Sequence, residues 1–190
     1  MKTFGIALKI FLVFTILTGI VYPLLVTGIA QVVFPHQANG SLILKDNKVI
    51  GSELIGQLSD STIYFMSRPS AIGNNPLPSG GSNYGLTSAK LKAQVAERKN
   101  KFIKFNQLDK NVEVPSDMLF ASASGLDPHI SPEAAQLQIN RIATARHFST
   151  VQKEKLKTLV EKTIEAPQLG CLGESRVNVL LLNIELDKLK

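Results

Sequence analysis

From Ile10 to Phe34 the chain reads IFLVFTILTGIVYPLLVTGIAQVVF, and no charged residue interrupts the run. About twenty apolar residues carry a helix across the hydrocarbon core of a bilayer, so this run is long enough to span one. It is too long for the apolar region of an ordinary secretory signal, about 7–15 residues. Gly28 and Ala30 offer only a weak cleavage pattern. The reading is a retained membrane anchor over 10–34, a tail over 1–9, and one domain over 35–190. The tail carries Lys2 and Lys9 without an acid, whereas the first bases beyond the span are Lys45 and Lys48, beside Asp46. Flanking basic charge therefore predicts a cytoplasmic N-terminus and an extracytoplasmic main domain.

Within the span, Thr15, Gly19, Pro23 and Thr27 recur every four residues. Small residues let helix backbones approach closely in lipid, where hydrophobicity alone drives no association. Tyr22 lies near mid-membrane, where a hydroxyl faces protein rather than lipid. Pro23 predicts a kink or a packing partner that tolerates one. The stripe favours a subunit that packs against other spans, and a plain anchor is the alternative.

Beyond the span, GSLILKDNKVIG reads as a hairpin, with strands over Ser41 to Leu44 and Lys48 to Ile50 and a turn at Asp46 and Asn47. Asp60 to Thr87 is rich in Ser, Gly, Asn and Pro and shows no helical period. Helices are predicted from Ser88 to about Asn106, with Thr87 or Ser88 as its cap, from Ser131-Pro132 to about His147, and from the capping box Ser149 to Gln152 to about Ile164. The closing RVNVLLLNIELD, from Arg176, reads as a buried strand beside the hairpin. The class is α+β: one N-terminal transmembrane helix, then a domain with a small sheet and about three helices.

The net charge of +6 suggests nucleic acid as a partner. The bases between Lys90 and Lys110 lie in a helical stretch without stacking aromatics or a recognisable module, and a solvated helix face is the better reading. Cys171 is the sole cysteine, so no internal disulfide forms. His36, His129 and His147 show no ligand spacing, and no metal site is expected. Ser79, Ser82 and Ser124 sit in no nucleophile elbow. Asp127 and His129 lie two apart, but Asp127-Pro128 reads as a turn that Asp127 itself caps. Arg68, in SRPS, is a fork donor suited to carbonyls or a carboxylate.

The segment PSGGSNYGLTSAK approaches the phosphate-binding pattern G-x-x-x-x-G-K-S/T, with Leu86 where the lysine belongs. A working loop needs that lysine and a buried strand leading in. AIGNNPLPS cannot be such a strand, so no Walker site is expected. The glycine-rich turn remains open to binding an anion through backbone amides, or to serving only as a turn feeding a helix.

Taken together, these segments resemble the C subunit of the Kdp-type high-affinity potassium-transporting ATPase. The strings that carry the likeness are GIVYPLLVTGIAQVVFPHQANGSL, GSELIGQ, YFMSRPSA, NNPLPSGGSN, ASASGLDPHISPEAA and RVNVLLLNIELDKL. The resemblance implies a non-catalytic accessory subunit of a bacterial inner-membrane complex. Its partners would be a channel-like potassium subunit, an ATP-hydrolysing P-type subunit and a small membrane peptide. The phosphorylation motif D-K-T-G is absent here, which leaves ATP chemistry to a partner. It further implies a catalytic-chaperone role, raising the ATP affinity of the pump subunit. Ser79, Gly80, Gly81, Ser82 and Asn83, similar to an S-G-G-Q signature, and Gln138 would be the nucleotide or partner contacts, with ATP shared with that subunit. The alternatives are an extracytoplasmic cap over the potassium entrance without nucleotide contact, or an isolated membrane-anchored binding domain.

Overall fold

The computed structural model describes residues 2–45 and 47–189 and divides into two compact units that meet in sequence between Ser52 and Glu53. In the first unit, helix α1 (Lys2–Ile16), a π-helical turn (Leu17–Val21) and helix α2 (Tyr22–Val33) follow without a break. Together they form the one helix among the described residues that is long and apolar enough to cross a membrane. Its apolar window is wholly unburied by the rest of the chain.

The π turn lies immediately before Pro23, and the Tyr22 N–H donates to the Leu17 carbonyl five residues back. Proline supplies no N–H to the turn behind it, and widening that turn is one way a helix absorbs the misfit. The misfit is thus taken up as a local π turn. A four-residue step overshoots one α-helical turn by about 40°. The wider π turn takes up part of that overshoot, which keeps Thr15, Gly19, Pro23 and Thr27 nearer to one face than a uniform α-helix would. The Thr15 hydroxyl donates to the Phe11 carbonyl at 2.8 Å, so its polarity is satisfied within its own helix.

A short helix α3 (Pro35–Ala38) leads to strands β1 (Leu42–Lys45) and β2 (Lys48–Ser52), the expected hairpin. Leu44 pairs with Val49 and Lys45 with Lys48, and a bulge interrupts the register between Ile43 and Leu44. Asn47 has a φ of 61°, the left-handed geometry expected of a turn asparagine. Asp46, the other residue of the expected turn, lies outside the described residues.

The second unit opens with a long irregular segment and then builds α4 (Ala89–Asn106), β3 (His129–Ile130), α5 (Pro132–Ala145), α6 (Thr150–Lys162), β4 (Ile164–Glu165), β5 (Arg176–Asn178) and α7 (Val179–Leu186). The expected caps are all present. The Ser88 side chain accepts from the Leu91 N–H, Ser131 from Ala134, and Ser149 with Gln152 forms the full capping box. Phe65, Phe102, Ile142, Leu156, Val160, Val177, Leu182 and Leu186 centre the core, where α4, α5, α6 and α7 pack in succession.

Two expectations are corrected. The C-terminal run is a strand for three residues only; from Val179 it is helix. Asn178 makes the switch, because its side-chain oxygen accepts from the N–H groups of Leu180 and Leu181 and starts the helix, while its amide donates to the Glu53 carbonyl at 2.8 Å. The buried positions Val179, Leu182 and Leu186 keep helical spacing, a pattern obscured by the apolar residues between them. The second correction concerns pairing. The hairpin strands form a two-stranded sheet of their own, and β5 runs antiparallel between β3 and β4. Strands of two residues carry no alternation to read, so β3 and β4 left no signal in the sequence.

Candidate functional site

Ser61 to Tyr64 forms a turn, closed by the Tyr64 N–H donating to the Ser61 carbonyl at 3.3 Å, and the chain runs on through the completely buried Phe65 to Met66 without a strand partner. The backbone groups of Phe65 and Met66 are met by side chains, which hold the Ser61–Met66 segment down as a strap. Asn183 of α7 accepts from the Phe65 N–H at 2.8 Å and donates to the Phe65 carbonyl at 3.0 Å. Gln138 of α5 repeats the bracket one residue on, accepting from the Met66 N–H at 2.7 Å and donating to its carbonyl at 3.4 Å. Each carboxamide offers a donor and an acceptor side by side, as the peptide group of a neighbouring strand would.

Arg141 closes the arrangement. Its Nε donates to Asn106 Oδ1 at 2.8 Å, one terminal nitrogen to the carbonyls of Ser61 and Thr62, and the other to the Tyr64 carbonyl and Gln138 Oε1, both at 2.9 Å. All five guanidinium donors are thereby used. The guanidinium also sits 4.7 Å from the centroid of the Phe105 ring. The side chain is 3% exposed, and every hydrogen-bond acceptor around it is neutral. Desolvation lowers its pKa to about 10, so it remains a buried cation at neutral pH. At the outer end of the strap, Arg146 donates to the Ile63 carbonyl and to Asp187, and stacks 4.9 Å from the Tyr64 ring centroid. Asp187 accepts from the Tyr64 hydroxyl, and burial together with that carboxylate raises the tyrosine pKa.

Gln138 is thus fully buried, and it also donates to the Ala134 carbonyl of its own helix. Asn106, Arg141 and Asn183 were not singled out from the sequence. A polar residue inside an apolar helical run, such as Asn183 within VLLLNIEL, was the signal available.

The glycine-rich turn is held elsewhere. The Gly80 N–H donates to the Ser124 carbonyl at 3.0 Å, and a Cβ on Gly81 would stand 2.9 Å from the Ala123 carbonyl oxygen. Glycine at 81 therefore lets two backbones touch, and an added methyl would push them apart. Ser79 and Asn83 are exposed, Ser82 is half-buried, and Asn83 has a φ of 52°. The same Ser122–Asp127 loop receives SRPS: the Ser122 N–H donates to Pro69, Ser70 Oγ to Gly125, and Arg68 to Asp127 Oδ2 at 2.7 Å. Asp127 also caps its own turn, accepting from the His129 N–H at 3.0 Å. Desolvation alone would raise the Asp127 pKa; the His129 side chain and N–H and the Arg68 guanidinium outweigh it and hold it at about 2. Among the described residues no group of His, Cys, Asp and Glu has the geometry to hold a metal ion.

Comparison with known proteins gives a consistent result. The family model described as K+-transporting ATPase, c chain (KdpC) matches residues 4–188. A protein of Geotalea uraniireducens named potassium-transporting ATPase KdpC subunit is 51% identical over 100% of this chain and 99% of its own length. Its namesake in Caldanaerobacter subterraneus is 47% identical over 94% of this chain and 91% of its own. That of Mycobacterium tuberculosis is 49% identical over 96% of each.

Replacing Arg141 by lysine keeps the charge but offers three donors where five acceptors converge. Leaving two or more buried acceptors unpaired is expected to cost about 3 kcal/mol. Thermal unfolding of Arg141→Lys should shift down by about 10 °C, read by circular dichroism. An unchanged midpoint would show that the strap does not depend on the fork.

Proposed function

This chain belongs to the family of K+-transporting ATPase c chains, and we propose that it serves its complex by assembly rather than by chemistry of its own. The family is an accessory subunit of a P-type potassium-transporting ATPase, not its catalytic one. In our reading, the apolar helix packs against partner spans of the channel-like and ATP-hydrolysing subunits and the small membrane peptide, and so stabilises the complex. The observation that carries this is the helix itself. It carries no charge from Ile10 to Val33, is uncovered by its own chain in its apolar window, and is marked by a stripe of small residues that the π turn helps align.

The second unit, in this reading, lies outside the cytoplasm and works as a rigid body near the potassium entrance. Support comes from the basic tail before the span and from the strap, which fixes the long irregular segment onto the helices. Any influence of Gln138 on the ATP affinity of the pump subunit is then transmitted through the fold. Its amide brackets Met66 inside the domain, where a nucleotide has no access to it. Ser79, Gly80, Gly81, Ser82 and Asn83 likewise serve the fold and a partner surface through the clasp with the Ser122–Asp127 loop.

Two measurements test this reading. Enlarging Gly19 to leucine should cut recovery of the partner subunits on an affinity-tagged chain by about tenfold, while thermal unfolding of the second unit stays unchanged. Full recovery would refute packing through the stripe. Cys171 is exposed and is the sole thiol of the chain, so a membrane-impermeant maleimide should label it in intact cells, once any outer membrane is made permeable. Labelling only after lysis would place the domain on the cytoplasmic side.

A further inference from the structure

A cleft of about 450 Å³ opens between one face of α4 and the segment from Leu58 to Asn74. Its floor is apolar: Met66, Phe102, Phe105 and Met118 line it, with Phe102 and Met118 only 3% exposed. Its charged rim is unbalanced. Arg98 and Lys101, one turn apart on α4, face Asp60, while Arg68 is committed to Asp127. Behind Phe105 lies the Arg141 guanidinium, a buried cation with only neutral acceptors around it. A positive charge buried without a counter-ion is costly, and a ring that covers it transmits that potential across a low-dielectric layer. The Nε of Arg68, another group lining the cleft, is buried without a hydrogen-bond partner.

We propose that this cleft binds a small amphipathic anion, its apolar body on Phe102, Phe105 and Met118 and its acidic head between Arg98 and Lys101. The volume is in the range of small-molecule sites, which combine an apolar lining with a few placed polar groups. Arg98 is preorganised to receive the head, because one terminal nitrogen donates to the Leu119 carbonyl at 3.0 Å and fixes the fork at the rim. Lys101 is exposed and supplies a mobile ammonium from the same helix face. The bound head supplies the negative charge that this side of the domain lacks, so occupancy stabilises the fold around the strap. The inference does not depend on how the chain assembles with its partners.

The test uses the full chain in nanodiscs of zwitterionic lipid and isothermal titration with 1-naphthoate. Its neutral counterpart, 1-naphthalenemethanol, and acetate serve as comparators. One-site saturation by 1-naphthoate is expected, at least about tenfold tighter than either comparator. Lys101→Glu should weaken it by about tenfold, whereas Lys104→Glu, exposed on the same helix but away from the cleft, should leave it unchanged. Thermal unfolding of both variants confirms that each is folded. The inference is overturned by absence of saturable binding, by equal affinity for the neutral compound, or by equal effects of the two charge reversals.

Discussion

The fold of the second unit depends on one arrangement: side chains of helices α5 and α7 take the place of a β-strand along Phe65 and Met66. Backbone N–H and C=O groups cannot be buried unpaired without losing about 1–3 kcal/mol each. A long loop that carries Phe65 into the core must therefore find partners for its peptide groups. A sheet would supply them through a ladder, but the sheet of β3, β5 and β4 is short and pairs along β5. Asn183 and Gln138 instead bracket consecutive peptides, and Arg141 gathers the carbonyls of Ser61, Thr62 and Tyr64. The solution demands a charge in the interior. Arg141 is tolerable there because every N–H it owns is matched and a ring covers its face.

This arrangement also joins the parts of the domain. Met66 leads directly into SRPS, whose Arg68, Pro69 and Ser70 seat the Ser122–Asp127 loop, and that loop in turn clasps the glycine-rich turn. Strings scattered along the sequence are thus consecutive links of one chain of contacts. The glycines at 80 and 81, which resemble a phosphate cradle when read as letters, sit where two backbones meet. An accessory subunit, in our reading, presents a fixed shape to its neighbours, and such a lattice of side-chain-to-backbone bonds gives rigidity without a large sheet.

What could be read in advance follows the range of the interactions. The caps at Ser88, Ser131 and Ser149 act over three residues; sequence places Ser131 and Ser149 where the structure has them and narrows the first to Thr87 or Ser88. The apolar span and the hairpin are equally local. The C-terminal helix was hidden because Leu180 and Leu181 fill the gaps between Val179 and Leu182, and only the Asn178 cap separates strand from helix. The strap could not be read. Its bonds join residues 72, 80 and 118 positions apart, and Gln138, Arg141 and Asn183 look like ordinary polar residues of amphipathic helices until the fold brings Ser61–Met66 against them. Gln138 drew notice only through family resemblance, which did not reveal what its amide holds.

The most direct test is hydrogen exchange at the amides of Phe65 and Met66, which donate to Asn183 and Gln138 rather than to any backbone carbonyl. If the side-chain strap holds the segment as a strand partner would, Met66 should exchange only with the opening of helix α5, at the rates of Ile139 and Ile142 within it, and Phe65 only with the opening of α7, at the rate of Leu186 within it. Exchange as fast as that of Gly73 in the irregular segment beyond would contradict the account, because the bonds would then be incidental to a loop held by Phe65 alone.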